Sequence, residues 1–160
     1  MNLCPCGSQK SYSDCCAWFI DGNQAAPTPE RLMRSRYTAY SLARMDYIQK
    51  TMRGKALQGF DEQAAERWAK KLVWLRLEIM DTSMATEDKG FVEFKASYVQ
   101  KDRLHDLQEV SEFHRENGIW YYVDGELKSQ QPGKQLVLRN TLCPCGSQKK
   151  FKNCHAKPQD

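Results

Sequence analysis

The two ends of this chain carry the same pattern of metal-binding residues. Cys4, Cys6, Cys15 and Cys16 read C-x-C-x8-C-C, and Cys143, Cys145, Cys154 and His155 read C-x-C-x8-C-H. The repeat consumes all 7 cysteines. With one imidazole they divide into two sets of four, the ligand number that closes a structural zinc site. Such a chain is expected to fold as two small modules, each holding Zn2+, around a globular middle, because metal ligation supplies folding free energy that short segments lack.

The surrounding residues repeat as well. Leu3-Cys4-Pro5-Cys6-Gly7-Ser8-Gln9-Lys10 returns as Leu142-Cys143-Pro144-Cys145-Gly146-Ser147-Gln148-Lys149. Proline limits one backbone angle, glycine tolerates positive φ, and the amides that follow can point at thiolate sulfur and disperse its charge. Ser8 and Ser147 are then turn residues beside the ligands. Structural disulfides would suit an exported protein, but the motif starts at Cys4, where a signal peptide is not expected, and no apolar run reaches the ~18 residues of a membrane span. A cytoplasmic location follows as an expectation. An iron-sulfur cluster conflicts with His155 and with the usual cysteine spacings. Thiol redox chemistry at the C-x-C pairs or at Cys15-Cys16 stays open, since metal-free thiolates are nucleophilic.

Cys-Pro-Cys-Gly-Ser, a basic stretch and then Cys-His resembles the SEC-C motif, known from the zinc-binding tail of the SecA translocation ATPase, and the match is close over residues 139–157. One such motif at each end, with Leu32-Met33-Arg34-Ser35-Arg36-Tyr37 and Glu116-Asn117-Gly118-Ile119-Trp120-Tyr121-Tyr122-Val123-Asp124-Gly125 between them, resembles the bacterial YchJ-like family along nearly the whole chain. The resemblance implies an α+β middle domain of NTF2-like (cystatin-like) type, with packed helices on a curved antiparallel sheet and no established activity. The expected division is a SEC-C zinc module over 1–24, the NTF2-like domain over 25–130, and a linker with the second zinc module over 131–160.

Charge separates the two modules. The net formal charge of +4 divides into −1 over residues 1–24, zero over 25–133, where seventeen bases meet seventeen acids, and +5 over 134–160. Seven thiolates and two Zn2+ ions lower the total to +1 and leave only the C-terminal module clearly basic. Lys149, Lys150, Phe151 and Lys152 form a basic run with an aromatic insert, suited to an acidic protein surface or to phosphate backbone. The SecA tail contacts the SecB chaperone and the ribosome, so the resemblance implies an adaptor with protein or ribosome partners. A solvated lysine cluster that offsets its own thiolates is the plainer reading.

Between the modules, Thr28 is a plausible helix cap, with Pro29 at the first helical position and Glu30 beside the positive helix end. The spacing predicts a helix over about 29–52, with Met33, Tyr37, Tyr40 and Tyr47 buried and Arg31, Arg34 and Arg44 toward solvent. Asp61 caps a second helix in which Ala65, Trp68 and Leu72 share a face. The period then changes to two: Val73, Leu75, Leu77 and Ile79 alternate with Trp74, Arg76, Glu78 and Met80. Further strands are expected over Phe91–Gln100, Leu107–Arg115 and Ile119–Asp124. They are joined by a turn at 87–90, a polar loop over 100–106 and an Asn-Gly hairpin at 116–118. Residues 125–140 read as a tether.

A curved sheet wrapped by helices often encloses a pocket, and Arg36, Tyr37 and Glu109 are the polar groups expected there. A small-molecule binder or enzyme that uses this pocket is the alternative function. A buried Arg36–Glu109 pair with a satisfied tyrosine hydroxyl is the structural alternative, since buried charges are normally paired. No catalytic residue is assigned: His105 is placed in a loop and His114 near a hairpin end, and G-x-S-x-G, H-E-x-x-H and phosphate-binding glycine loops are absent from the sequence.

Overall fold

The computed structural model describes residues 2–157. Five short helices precede a four-stranded antiparallel meander: α1 Ala17–Ile20, α2 Pro29–Ser41, α3 Met45–Lys50, α4 Gly54–Gln58, α5 Glu62–Lys71, then β1 Val73–Thr86, β2 Lys89–Gln100, β3 Arg103–Glu116 and β4 Ile119–Leu136, in spatial order β1-β2-β3-β4. This is the α+β architecture expected of an NTF2-like domain. Among the described residues no helix is long and apolar enough to cross a membrane.

Helix α2 begins as its sequence dictates. The Thr28 side chain accepts from the Arg31 amide at 3.2 Å and Pro29 opens the first turn. Leu32, Met33, Tyr37 and Ala39 are then buried and join Val92, Phe94 and Ala96 of β2 and Phe113 of β3 in one core. The expected single helix over 29–52 is broken. Ala43 has φ 55, Arg44 N–H donates to the Ala39 carbonyl at 2.8 Å, and Ala43 N–H donates to that of Tyr40 at 3.1 Å. These two bonds are the paired closure of a Schellman motif, here turned by an alanine where glycine is usual. The break lets α3 fold back so that Ile48 enters the core.

The strands are longer than their sequence signals. The Asn117-Gly118 hairpin forms as expected, both residues with positive φ. The polar loop over 100–106 is instead a two-residue turn at Lys101-Asp102, with both φ positive, so His105 lies in β3 and stacks on Tyr98 with centroids 5.3 Å apart. The tether expected over 125–140 is strand as far as Leu136. A bulge between Trp74 and Arg76 resets the alternation of β1. Trp74 therefore joins Leu77 and Ile79 on the main core, while Val73 and Leu75 pack on a second, smaller core.

Candidate metal centres

Each knuckle is built by the same local hydrogen bonds. In the first, Cys4 N–H donates to the Lys10 carbonyl at 2.7 Å, Gly7 N–H to that of Cys4 at 3.3 Å, and Gly7 and Gln9 adopt positive φ. In the second, Cys143 N–H donates to the Lys149 carbonyl at 2.8 Å, Gly146 N–H to that of Cys143 at 3.3 Å, and Gly146 and Gln148 take the same turn. Ser8 Oγ lies 3.2 Å from Cys15 Sγ, and Ser147 Oγ lies 3.2 Å from Cys154 Sγ. The serines thus stand beside ligand sulfurs while their own oxygens accept the Lys10 and Lys149 amides.

This geometry converges all eight expected side chains into two groups, Cys4 with Cys6, Cys15 and Cys16, and Cys143 with Cys145, Cys154 and His155. Within each, the ligand atoms lie within 4.8 Å of one another. All seven cysteines are free thiols. Cys6 and Cys15 sulfurs are 3.6 Å apart, Cys15 and Cys16 3.9 Å, and Cys145 and Cys154 3.6 Å. A tetrahedral ion bound at about 2.3 Å sets its sulfurs about 3.8 Å apart, so the spacing fits a metal and is far from a disulfide. His155 turns Nδ1 inward, 3.3 Å from Cys143 Sγ and 3.2 Å from Cys154 Sγ. Burial holds its pKa below the usual imidazole value, which favours the neutral, ligating form.

Charge sharing within the first group points the same way. Hydrogen bonds from the Cys16 thiol, then from that of Cys6, push the Cys4 pKa far down, while Cys16 is held protonated by its bonds to Cys4 and Cys6. Four crowded sulfurs cannot all ionise without a cation.

The two centres differ in setting. Cys4, Cys6, Cys15 and Cys16 are all buried and belong to the main core with Phe19 and Ile20. Helix α2 grips this knuckle with residues four apart: Arg34 Nη1 donates to the Cys6 carbonyl at 2.6 Å, and Thr38 Oγ1 lies 3.5 Å from Cys16 Sγ and 3.8 Å from Cys4 Sγ. Arg34 was expected to face solvent, and its position is set instead by the orphan carbonyl it covers. The second knuckle rests on the small core of Val99, Val137, Cys143 and Phe151 at the end of β2. Its Cys145, Cys154 and His155 are half-buried. Lys149, Lys150 and Lys152 are exposed, but Phe151 is 6% exposed and anchors the knuckle. The aromatic insert is therefore structural and leaves the lysines alone at the surface. Leu3 and Pro5 of the first knuckle and His155 and Lys157 of the second border one surface groove, so both modules lie on the same side of the domain.

Arg36, Tyr37 and Glu109 do line one cavity, between α2, α5 and the sheet. They do not form the expected Arg–Glu pair. Arg36 Nη1 donates to the Ile48 carbonyl at 2.9 Å and to Thr51 Oγ1 at 2.7 Å, and the guanidinium sits 4.5 Å above the Tyr122 ring. Glu109 Oε1 accepts from Ser111 at 2.9 Å and from the Tyr122 hydroxyl at 3.0 Å. Burial, with Glu109 beside it, pushes the Tyr122 pKa well up, so that hydroxyl stays a donor. Tyr40, Trp68, Trp74 and Tyr98 give the cavity wall most of its aromatic rings. Sequence reasoning missed that role because the four come from four different elements; Tyr40 and Trp68 each carried a face assignment, but nothing in the sequence brought the two faces together.

Gly125 is what leaves room for this polar floor. A Cβ there would lie 2.1 Å from Glu109 Oε1 and 2.4 Å from the Tyr122 hydroxyl. Gly125→Ala is expected to displace both groups and to lower stability by about 1–3 kcal/mol, measured by urea unfolding. A loss below about 0.5 kcal/mol would mean that the floor rearranges freely.

The comparisons with known proteins agree with this architecture. Residues 28–125 match the family described as YchJ, middle NTF2-like domain, and residues 2–17 and 139–157 match the SEC-C motif. A UPF0225 protein of Geobacter sulfurreducens is 40% identical over 156 residues, covering 96% of this chain and 97% of the relative. A UPF0225 protein of Vibrio parahaemolyticus is 38% identical over 164 residues, covering 94% of this chain and 96% of its own. Among solved structures, a SEC-C motif containing protein from Rhodopseudomonas palustris is similar at TM-score 0.73 and 35% identity, over 81% of this chain and 100% of that one. Another, from Psychrobacter arcticus, gives TM-score 0.68 and 33% identity over 94% and 93%. With two four-ligand knuckles flanking an NTF2-like meander and relatives matched almost end to end, the chain belongs to the YchJ-like family of UPF0225 proteins.

Proposed function

We propose that this protein is a cytoplasmic adaptor in which both knuckles hold structural Zn2+ and the C-terminal one presents a basic docking face to an acidic protein surface. The observation that carries the reading is the asymmetry between the knuckles. One is sunk in the main core, and the other stands on its own small core with Lys149, Lys150 and Lys152 exposed in a segment of net charge +5. A closed four-ligand site lacks the open position that metal catalysis uses, so the metal's work here is folding. Free thiols at such density also suit a reducing compartment.

The lysines are the test. Elemental analysis of purified protein is expected to give about two zinc atoms per chain. The Lys149→Glu, Lys150→Glu, Lys152→Glu variant should keep that zinc and its thermal transition yet lose its partner in a lysate pull-down. Binding by the unaltered protein should weaken as salt rises. A partner retained by the variant would remove the basic face from the mechanism. A complex dissolved by nuclease would replace the acidic protein surface with ribosomal RNA.

A further inference from the structure

The cavity between α2, α5 and the sheet uses no metal ligand, and its lining is chemically specific. Its volume is about 150 Å3, the size of engineered protein cavities that admit one benzene-sized ring. Aromatic rings form the wall, and most of them meet Trp74: Tyr37 at 5.5 Å and Trp68 at 5.5 Å, both edge-on, and Tyr98 at 5.6 Å. Walls of this kind favour a flat occupant that stacks on one ring and meets the edge of another.

The polar groups of the lining have unused capacity. Arg36 is 3% exposed, and Nη1 alone accounts for its two hydrogen bonds; among the described residues Nε and Nη2 have no acceptor. Glu109 accepts both of its hydrogen bonds on Oε1, which leaves Oε2 without a donor among the described residues. Unpaired donors and acceptors that face such a cavity gain free energy when an occupant pairs with them. The lining therefore offers guanidinium donors beside one half-buried carboxylate acceptor.

Charge narrows the occupant. An aromatic box suits a quaternary ammonium ion, but Arg36 is permanently charged and repels a cation. An anion would bond to Arg36 but faces Glu109. With one fixed charge of each sign, the cavity is matched to a neutral molecule that carries a donor next to an acceptor. We propose that it is a binding site for a neutral planar heterocycle with a cyclic amide edge, of about the size of a pyridone. The ring N–H would bond to Glu109, the carbonyl would accept from Arg36, and the ring would stack among Tyr37, Trp74 and Tyr98.

The test uses the full-length, metal-loaded protein and 2-pyridone, with benzene, tetramethylammonium and benzoate as comparison probes. NMR titration follows the four indole N–H signals. The expected result is saturable binding of 2-pyridone that shifts the signals of Trp68 and Trp74 but not that of Trp18, which is 47% exposed on α1. Affinity for 2-pyridone should exceed that for each comparison probe at least tenfold. Glu109→Gln, which keeps an acceptor for Ser111 and Tyr122, should weaken 2-pyridone at least tenfold with the thermal transition retained. If that variant fails to fold, Trp74→Phe, which shortens the ring at the centre of the aromatic wall, should weaken it several-fold. No saturable shift of the two indoles, equal affinity for benzene, or tighter binding of tetramethylammonium or benzoate would each overturn the proposal, as would unchanged affinity in the folded variant.

Discussion

Cys16→Ser should unfold the middle of the protein along with the knuckle that contains it, whereas Cys154→Ser should cost the second knuckle and little else. Cys16 is 1% exposed and packs in the same core as Phe19, Leu32, Ile48 and Phe94. Its sulfur also faces the Thr38 hydroxyl at 3.5 Å. Metal bound at such a site contributes on the order of 10 kcal/mol, comparable with the whole stability of a domain, about 5–15 kcal/mol. Losing it leaves the three remaining buried thiols, Cys4, Cys6 and Cys15, without their cation and loosens the knuckle that Arg34 and Thr38 of α2 hold. Cys154 is half-buried and lies on the small core at the end of β2.

In thermal unfolding followed by circular dichroism, Cys16→Ser should lower the midpoint by more than about 15 °C, and Cys154→Ser by less than about 5 °C. The same ranking should appear with chelator, metal leaving the C-terminal knuckle first while the sheet signal persists. Equal shifts for the two variants would show that the knuckles are energetically alike and would remove the asymmetry behind the adaptor reading.

The ligand sets were legible because a knuckle is a local object: eight residues of sequence fix its turn, its amides and the direction of two sulfurs. The last two ligands follow from spacing alone. The helix caps at Thr28 and Asp61 and the Asn117-Gly118 turn were legible for the same reason. What the sequence hid depends on distant partners or on a backbone state without its usual residue. Ala43 turns a helix end in the left-handed region with no glycine to announce it. The bulge after Trp74 reverses which side of β1 faces the helices, so strict alternation misplaces the tryptophan that contacts the most rings of the cavity wall. β4 runs on to Leu136 although Gly125, Pro132 and Gly133 read as a tether, because β3 pairs with it as far as Arg103. Phe151 sits within a lysine run yet is held inward by Val99 and Val137, which come from other parts of the chain.

The second large effect is expected at Arg36, where Arg36→Met should cost about 3–5 kcal/mol. Methionine fills similar space without strain, so the loss isolates the charge. Two buried acceptors, the Ile48 carbonyl and Thr51 Oγ1, would lose a charged donor, and hydrogen bonds to charged groups contribute about 1.5–3 kcal/mol each. The Tyr122 ring would lose the cation 4.5 Å above it, worth up to about 2 kcal/mol when desolvated. Part of this is offset because Thr51 Oγ1 can still donate to the Tyr47 carbonyl at 2.8 Å. Arg36→Lys should recover less than half of the loss, since an ammonium cannot span both acceptors and lie flat over the ring. Glu109 supplies the check on the electrostatics. Although it is not paired with Arg36, it shares the cavity, and without the guanidinium it is a half-buried carboxylate with no cation at hand. Glu109→Gln should therefore cost less in the Arg36→Met background than alone, with a coupling of about 1 kcal/mol in a double-mutant cycle by urea unfolding. Strict additivity would mean that the two charges do not sense each other across the cavity, and an Arg36→Met loss below about 1 kcal/mol would mean that its hydrogen bonds are replaced by water.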